Sequence, residues 1–151
     1  MICGGIAWMV GANVIANSRE RAAHIYAMTG AAFLLVTYTA AIYSARELAL
    51  DGSLFRALSI ADHAGAFLFA AAFLSLLWIY PSRLGRASIP LGFLGFYIVV
   101  WIADTAQWVP DMNFGIRYPM LVGLAASFAL AAMQWRRARY EPVSRAALKW
   151  F

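Results

Sequence analysis

Long apolar runs divide the sequence into segments that are separated by short groups of polar and charged residues. The runs cover residues 1–16, 22–45, 58–80, 89–108 and 116–135. They are rich in Ala and Leu and do not alternate between polar and apolar positions, as the strands of a membrane β-barrel do. The pattern therefore predicts an all-α fold, a polytopic membrane bundle of about five transmembrane helices in a single domain over residues 1–151.

Run length and proline position support helices in these segments. The first run would give a helix of about 24 Å, which is short for a hydrocarbon core of about 30 Å, whereas the other runs have about 20 residues or more. Pro90 and Pro119 fall in opening turns, where a helix does not need their missing N–H groups. Pro81 follows the third run and is expected to end that helix after Tyr80.

The composition is typical of a protein that lies in a bilayer. Of the 151 residues, 64% are hydrophobic and 13% are charged, and this charged share is about half of that in a soluble domain. A soluble domain of this size would expose large apolar patches. Cys3 is the single cysteine, so the chain cannot form an internal disulfide. The first run has no basic region before it, which argues against a cleaved signal peptide.

The distribution of Lys and Arg predicts the orientation of the helices. One side of the predicted bundle receives nine of these residues, namely Arg19, Arg21, Arg83, Arg86, Arg136, Arg137, Arg139, Arg145 and Lys149. The other side receives three, namely Arg46, Arg56 and Arg117. Because cytoplasmic loops carry the excess of basic residues, we expect the N-terminus outside and the C-terminus in the cytoplasm. Topology and contacts with the lipid bilayer therefore explain the net charge of +5, and no nucleic-acid partner is expected.

The last residues, 143–151, have the pattern of another helix. Arg145 and Lys149 lie four residues apart on one face, while most of the other positions are apolar. One interpretation is an amphipathic helix that lies in the membrane interface. The other interpretation, which we favour, is that these residues are the first turns of a sixth membrane span.

Three motifs are similar to landmarks of a known family. They are NSRER at Asn17–Arg21, FLSLLWIYP at Phe73–Pro81 and RAALKW at Arg145–Trp150. With them, the chain resembles the N-terminal seven-helix transmembrane sensor region of bacterial histidine kinases and related signalling proteins, truncated after helix five. The resemblance implies a multi-pass protein of the bacterial inner (plasma) membrane, which passes an extracellular or bilayer signal to a cytoplasmic output partner.

Members of that family continue through two more helices into an output module such as a kinase or a cyclase. The present chain has no glycine-rich phosphate loop and no nucleotide-binding signature. The resemblance therefore implies a sensor or input module of signal transduction that is not itself an enzyme. Its implied partner is a cytoplasmic signalling domain.

Polar residues near the outer ends of the predicted helices form the candidate ligand site. They are Arg46, Asp62, His63, Asp104, Gln107 and Arg117. One hypothesis is a pocket, open to the outside, that binds a small ligand or responds to protons through the imidazole of His63. The alternative, which is the commoner situation, is ordinary interfacial polarity with ion pairs such as Arg46–Asp62 or Asp104–Arg117. Because Asp62 and His63 are adjacent, they point in different directions from one helix.

No catalytic, metal or cofactor site is expected from the sequence. His24 and His63 fall at opposite faces of the predicted topology, which argues against a haem with two histidine ligands. Neither histidine has Cys, Asp or Glu at the spacing of a metal site. No set of Ser, His and Asp and no pair of carboxylates lies within a span, so the sequence gives no catalytic residues.

Two other classes of function remain open. A small transporter or channel subunit would need polar groups along a path at the bilayer midplane, and the predicted spans carry almost none. A structural membrane subunit of a larger complex would need apolar surfaces with small residues, which the spans provide. Gly123 and Ser127 form a small-xxx-small pair. We expect this pair to pack within one bundle, and a homodimer is its less favoured use.

Overall fold

The computed structural model describes residues 2–17, 21–44, 52–111 and 113–142. Its helices are α1 (Ile2–Asn17), α2 (Arg21–Ser44), α3 (Gly52–Ile79), α4 (Ile89–Thr105) and α5 (Tyr118–Arg137). A π-helical turn (Asn113–Arg117) leads into α5, and a 3-10 turn (Ala138–Tyr140) follows it. This part of the chain contains no strand. The prediction of an all-α fold with five helices is confirmed.

The ends of three helices differ from the prediction. α3 begins at Gly52, well before the predicted start at residue 58, because the residues between them include no proline and Arg56 is a good helix former. α4 ends at Thr105, not at residue 108, because Gln107 has a left-handed φ of 58° that a right-handed helix cannot contain. α5 continues to Arg137, beyond the predicted end at residue 135. The predicted helix start at 143–151 lies outside the described residues.

Within the described ranges, three helical segments are long and apolar enough to cross a membrane. They are Arg21–Ile42, Gly52–Ile79 and Asn113–Tyr140. α4 is an apolar helix of 17 residues, just below the usual length of a span. α1 has 16 residues, as its run length predicted. The helices are thus compatible with a membrane protein, and which of them cross the bilayer, and in which direction, stays a prediction.

α3 is the central helix of the bundle. It packs against α2, α4 and α5, while α1 packs against α2. The buried cluster at the centre consists of Phe67, Ala70, Ala71, Leu74 and Leu77 of α3 with Tyr97 of α4 and Leu130 of α5. Lipid tails are as apolar as these side chains, so in a bilayer such a cluster would be held together by close packing more than by removal from water.

Small residues let α1, α2 and α3 approach one another closely. A Cβ atom added at Gly11 of α1 would lie 2.9 Å from Cα of Ala27 in α2. A Cβ atom added at Gly65 of α3 would lie 2.9 Å from Cγ2 of Val36. Both distances are shorter than real Cβ contacts, so glycine is required at these positions if the helices are to keep their present spacing.

A buried glutamine holds α5 to the end of α3, an arrangement named here the Gln134 clamp. Nε2 of Gln134 donates to the carbonyl oxygens of Leu77 at 2.8 Å and Ser82 at 2.7 Å, and its Oε1 accepts from Oγ of Ser82 at 3.2 Å. The residue is 0% exposed. The last carbonyls of a helix have no partner in the helix itself, so the clamp satisfies groups that α3 leaves open where it ends before the cis Tyr80–Pro81 bond.

Candidate functional site

A histidine–aspartate pair joins α3 to α4 at the end of the bundle opposite the Gln134 clamp. Nδ1 of His63 lies 2.5 Å from Oδ2 of Asp104, and each side chain is 14% exposed. His63 lies three turns into α3, whereas Asp104 is next to the last residue of α4. When Nδ1–H donates to the carboxylate, Nε2 is the ring nitrogen left for another group. The arrangement orients the imidazole as carboxylates orient histidines in many functional sites.

The carboxylate of Asp104 lies against the turn that leads into α5. A Cβ atom added at Gly115 would collide with Oδ1 of Asp104, so this contact requires a glycine. Asp111 shapes the same turn, because its Oδ1 accepts from the backbone N–H groups of Asn113 at 2.8 Å and Phe114 at 3.1 Å. The turn is π-helical over Asn113–Arg117. Such turns are rare and are frequent at functional sites.

Two further features beside Asp104 are energetically unfavourable. Gln107 has a φ of 58°, a left-handed conformation that costs a residue with a side chain about 1–2 kcal/mol. Oγ1 of Thr105 is buried and has no hydrogen-bond partner in the described part of the chain, although a helical threonine usually bonds to a carbonyl of its own helix. Strained backbone and unsatisfied buried groups concentrate at functional sites, which makes this end of α4 the strongest candidate.

These residues line one cavity, named here the polar cleft. Its volume is about 470 Å³, and its lining consists of Phe55, Arg56, Ser59, Ile60, His63, Asp104, Thr105, Gln107, Val109 and Asp111. Small-molecule sites have volumes of about 300–1,000 Å³. Two other cavities, of about 220 Å³ and 380 Å³, are lined almost wholly by apolar and aromatic side chains. A further cavity, of about 560 Å³, has Asn113 and Arg117 at one end and apolar side chains of α5 along the rest of its lining. Among these four cavities the polar cleft has the largest share of polar and charged lining residues, so its chemistry best suits a polar ligand.

The structure brings three of the predicted site residues together, because His63, Asp104 and Gln107 all line the polar cleft. Asp62 points in another direction, towards α2, where its Oδ1 lies 2.5 Å from Oγ1 of Thr39. The prediction that the neighbouring side chains Asp62 and His63 diverge is confirmed by these two sets of partners.

Of the remaining two predicted residues, Arg117 does not join the cleft. Arg117 lies outside the lining, and its Nη1 donates to Oδ1 of Asn113 at 3.3 Å. Asp104 is paired with His63 and not with Arg117, so the suggested Asp104–Arg117 ion pair is replaced by a contact between α3 and α4. Arg46 lies outside the described residues, and so does its suggested pairing with Asp62.

Sequence analysis missed four polar residues of the cleft, namely Arg56, Ser59, Thr105 and Asp111. Arg56, Ser59 and His63 are spaced three and four residues apart, which places them on one helix face. This signal was present in the sequence, but a helix that was assumed to begin at residue 58 left Arg56 in a loop. The Gln134 clamp was missed as well, although a single amide side chain in an otherwise apolar helix can be recognised in the sequence.

The two histidines of the chain lie far apart. Thr39 of α2 lies beside Asp62 of α3, and this contact sets the alignment of the two helices. His24 is about 22 Å from Thr39 along α2, so it lies at the opposite end of the bundle from His63. Within the described residues, no group of three or more His, Cys, Asp or Glu side chains could hold a metal ion.

Comparisons of the chain with protein-family models, with curated proteins and with solved structures found no match. The resemblance to the sensor regions of bacterial histidine kinases stays a prediction.

Proposed function

We propose that the protein is a membrane-embedded sensor, the input module of a bacterial signal-transduction protein, and that the polar cleft receives the signal. The observation that carries this proposal is the hydrogen bond between His63 and Asp104. It joins two helices inside a cleft that a proton or a small polar molecule can enter. A proton that adds to Nε2 turns the hydrogen bond into an ion pair and strengthens it, whereas a polar molecule can compete for the carboxylate and break it. Conditions outside the cell can therefore change the pair.

In this proposal the helices cross the bacterial inner membrane, and the polar cleft lies at the outer face. The three long apolar segments support insertion into the bilayer, and the asymmetry of Lys and Arg supports an outer N-terminus. α4 is about 26 Å long, which is short for a span. α4 therefore ends, at Thr105, deeper in the bundle than the outer end of the longer α3. The outer turns of α3 form one wall of the cleft.

Contacts along α3 and α5 offer a route from the cleft to the cytoplasmic side. His63 and Leu77 are about 21 Å apart along α3, with the Gln134 clamp at the inner end. Gly115 contacts Asp104 at the outer end, immediately before α5. If the His63–Asp104 pair tightens or breaks, Asp104 moves against Gly115 and the outer end of α5 shifts while the clamp holds its inner end, so α5 tilts about Gln134. The tilt moves the residues that follow α5, which would lead to a cytoplasmic output partner.

The packing between the cleft and the clamp favours a sensor over a transporter or channel subunit. The core of this region consists of side chains such as Phe67, Leu74 and Leu130. The buried hydroxyls of Ser75 and Ser127 donate to carbonyls of their own helices, at 2.7 Å and 2.8 Å. A polar solute would therefore meet no continuous polar path through the described part of the bundle.

The test is a distance measurement across the cytoplasmic end of the bundle. Spin labels are attached to the substitutions Arg21→Cys at the start of α2 and Tyr140→Cys beyond α5, in a Cys3→Ser background and in lipid nanodiscs. The pH is lowered from about 7.5 to about 5.5, the range in which imidazoles become charged. We expect the distance between the labels to change by about 1–2 Å or more, the size of signalling helix shifts.

Variants of the two histidines separate the proposed site from a general effect of acid. His63→Gln and Asp104→Asn are expected to abolish the change with pH, because each removes one partner of the pair. His24→Gln is the matched control and is expected to retain the change, since His24 lies on α2 away from the cleft. The proposal is rejected if His63→Gln responds as the wild type does, or if the wild type shows one distance at both pH values.

A further inference from the structure

The charged groups of the polar cleft have a pattern that specifies a class of ligand, and this step rests on the proposed function of the cleft. Arg56 is exposed, and its guanidinium has no ion-pair partner among the described residues. Asp111 is also exposed, and it uses Oδ1 to accept two backbone N–H groups, which leaves Oδ2 for another donor. His63 and Asp104 are mostly buried. The cleft thus has a cation and a carboxylate at its mouth and the His63–Asp104 pair in its depth.

A ligand with a single charge does not suit this pattern. A plain anion that binds Arg56 would lie near the carboxylates of Asp104 and Asp111, and a plain cation that binds a carboxylate would lie near Arg56. Like charges in one small site repel, and the repulsion is strongest where water is partly excluded. A zwitterion avoids both conflicts, because its carboxylate can meet the guanidinium while its ammonium group meets a carboxylate.

Other lining residues indicate the remainder of the ligand. Phe55, Ile60 and Val109 give the cleft an apolar part beside the charged groups. Ser59 lies three residues after Arg56 on the same helix face, where its hydroxyl can donate to the carboxylate that Arg56 binds. The volume of about 470 Å³ leaves room for a branched or aromatic side chain.

We infer that the polar cleft binds a small zwitterion of the amino-acid type with an apolar side chain. Arg56 binds the ligand carboxylate, Asp111 binds the ammonium group, and the apolar part lies against Ile60 and Val109. The bound ammonium group brings a positive charge close to Asp104, so ligand binding alters the same carboxylate that His63 holds. This gives a sensor of amino acids a direct connection between binding and the His63–Asp104 pair.

The test is calorimetric titration of the full chain in nanodiscs with three probes of one shape. L-leucine carries both charged groups, 4-methylpentanoate carries the carboxylate alone, and 3-methylbutylamine carries the ammonium group alone. We expect saturable binding of L-leucine, with each analogue at least about tenfold weaker, because each leaves one charged group of the cleft unpaired.

Two variants assign the charged groups of the ligand to residues. Arg56→Gln is expected to weaken the binding of L-leucine at least about tenfold, so that L-leucine binds no more tightly than 3-methylbutylamine. Asp111→Asn keeps the side-chain oxygen that accepts from the backbone of the turn. With this variant, L-leucine is expected to bind no more tightly than 4-methylpentanoate. Arg117→Gln, outside the cleft, is the matched control and is expected to bind L-leucine as the wild type does.

Three outcomes overturn the inference: equal binding of all three probes, L-leucine binding that survives both cleft variants, or no saturable heat from L-leucine, L-valine or L-phenylalanine up to about 10 mM. The distance measurement proposed for the sensor uses no amino acid. If the distance changes with pH but no amino acid binds, the ligand class alone is wrong. If L-leucine binds but the distance never changes, the proposed sensor function alone is wrong.

Discussion

The hydroxyl oxygen of Tyr97 occupies the space beside Gly123 in which any other residue would place its Cβ atom. Tyr97 is 2% exposed, and its hydroxyl donates to the carbonyl oxygen of Pro119 at 3.2 Å. Its ring stacks on Phe67, with the ring centroids 5.8 Å apart. One side chain of α4 therefore contacts both α3 and α5, and the glycine allows α5 to come close enough for the hydrogen bond. The expectation that Gly123 packs within one bundle is confirmed by this contact.

We predict that Gly123→Ala destabilises the bundle by about 1–3 kcal/mol, because the new methyl group displaces the Tyr97 hydroxyl from a packed site. The free energy of unfolding in mixed micelles, followed by circular dichroism, measures the effect. Gly95→Ala on α4 is the matched control, because nothing lies within 4 Å of a Cβ atom there. This control is expected to be neutral or stabilising by up to about 1 kcal/mol, since alanine favours helices over glycine. Equal stabilities of the two variants would show that the Tyr97 contact does not limit the packing.

A second prediction concerns the Gln134 clamp. Gln134→Leu keeps most of the side-chain volume but leaves the carbonyl oxygens of Leu77 and Ser82 without their donor. We expect a loss of about 1–3 kcal/mol in the free energy of unfolding, the cost of unsatisfied buried polar groups. Ser127→Ala is the control, since Ser127 is also buried on α5 but donates to Gly123 of its own helix. A clamp variant no less stable than this control would mean that water or lipid satisfies the two carbonyls.

Hydropathy and proline positions determine some features of this fold and leave others open. The apolar runs and the positions of Pro81, Pro90 and Pro119 determine the number and order of the helices, because length and helix breaking are local properties. The start of α3 was missed because a charged residue, Arg56, was assumed to lie in a loop, although arginine favours helices.

The candidate site was predicted only in part, for a different reason. His63 and Asp104 were both selected as polar residues near the same end of the bundle, but their pairing spans 41 positions of sequence. That pairing depends on the alignment of α3 against α4, which packing sets and hydropathy leaves open. The contact between Asp104 and Gly115 depends in addition on the π-helical turn, and a rare backbone form has no reliable signal in a single sequence.

A third prediction measures the strength of the central pair. In a double-mutant cycle, His63→Gln and Asp104→Asn are expected to show a coupling energy of about 1–3 kcal/mol, because each single change removes the same hydrogen bond. Unfolding of the wild type, both single variants and the double variant in mixed micelles gives this energy. His63→Gln with Asp62→Asn is the control cycle, because Asp62 contacts Thr39 of α2. The control should be additive within about 0.5 kcal/mol, and equal coupling in the two cycles would contradict a specific pair.

The last prediction uses Gly115, which touches the pair without belonging to it. Gly115→Ala places a methyl group where Oδ1 of Asp104 now lies, so the carboxylate has to move and the short contact with His63 is lost. Nitrogen-15 NMR of the His63 imidazole reports this directly, because the nitrogen that holds the proton changes its chemical shift when the carboxylate leaves. We expect the spectrum of Gly115→Ala to match that of Asp104→Asn and not that of the wild type. Gly52→Ala, where nothing lies within 4 Å of the new atom, is expected to leave the imidazole signals unchanged. A wild-type spectrum in Gly115→Ala would mean that the turn before α5 yields while the pair stays intact, and the proposed route from the cleft to α5 would then fail.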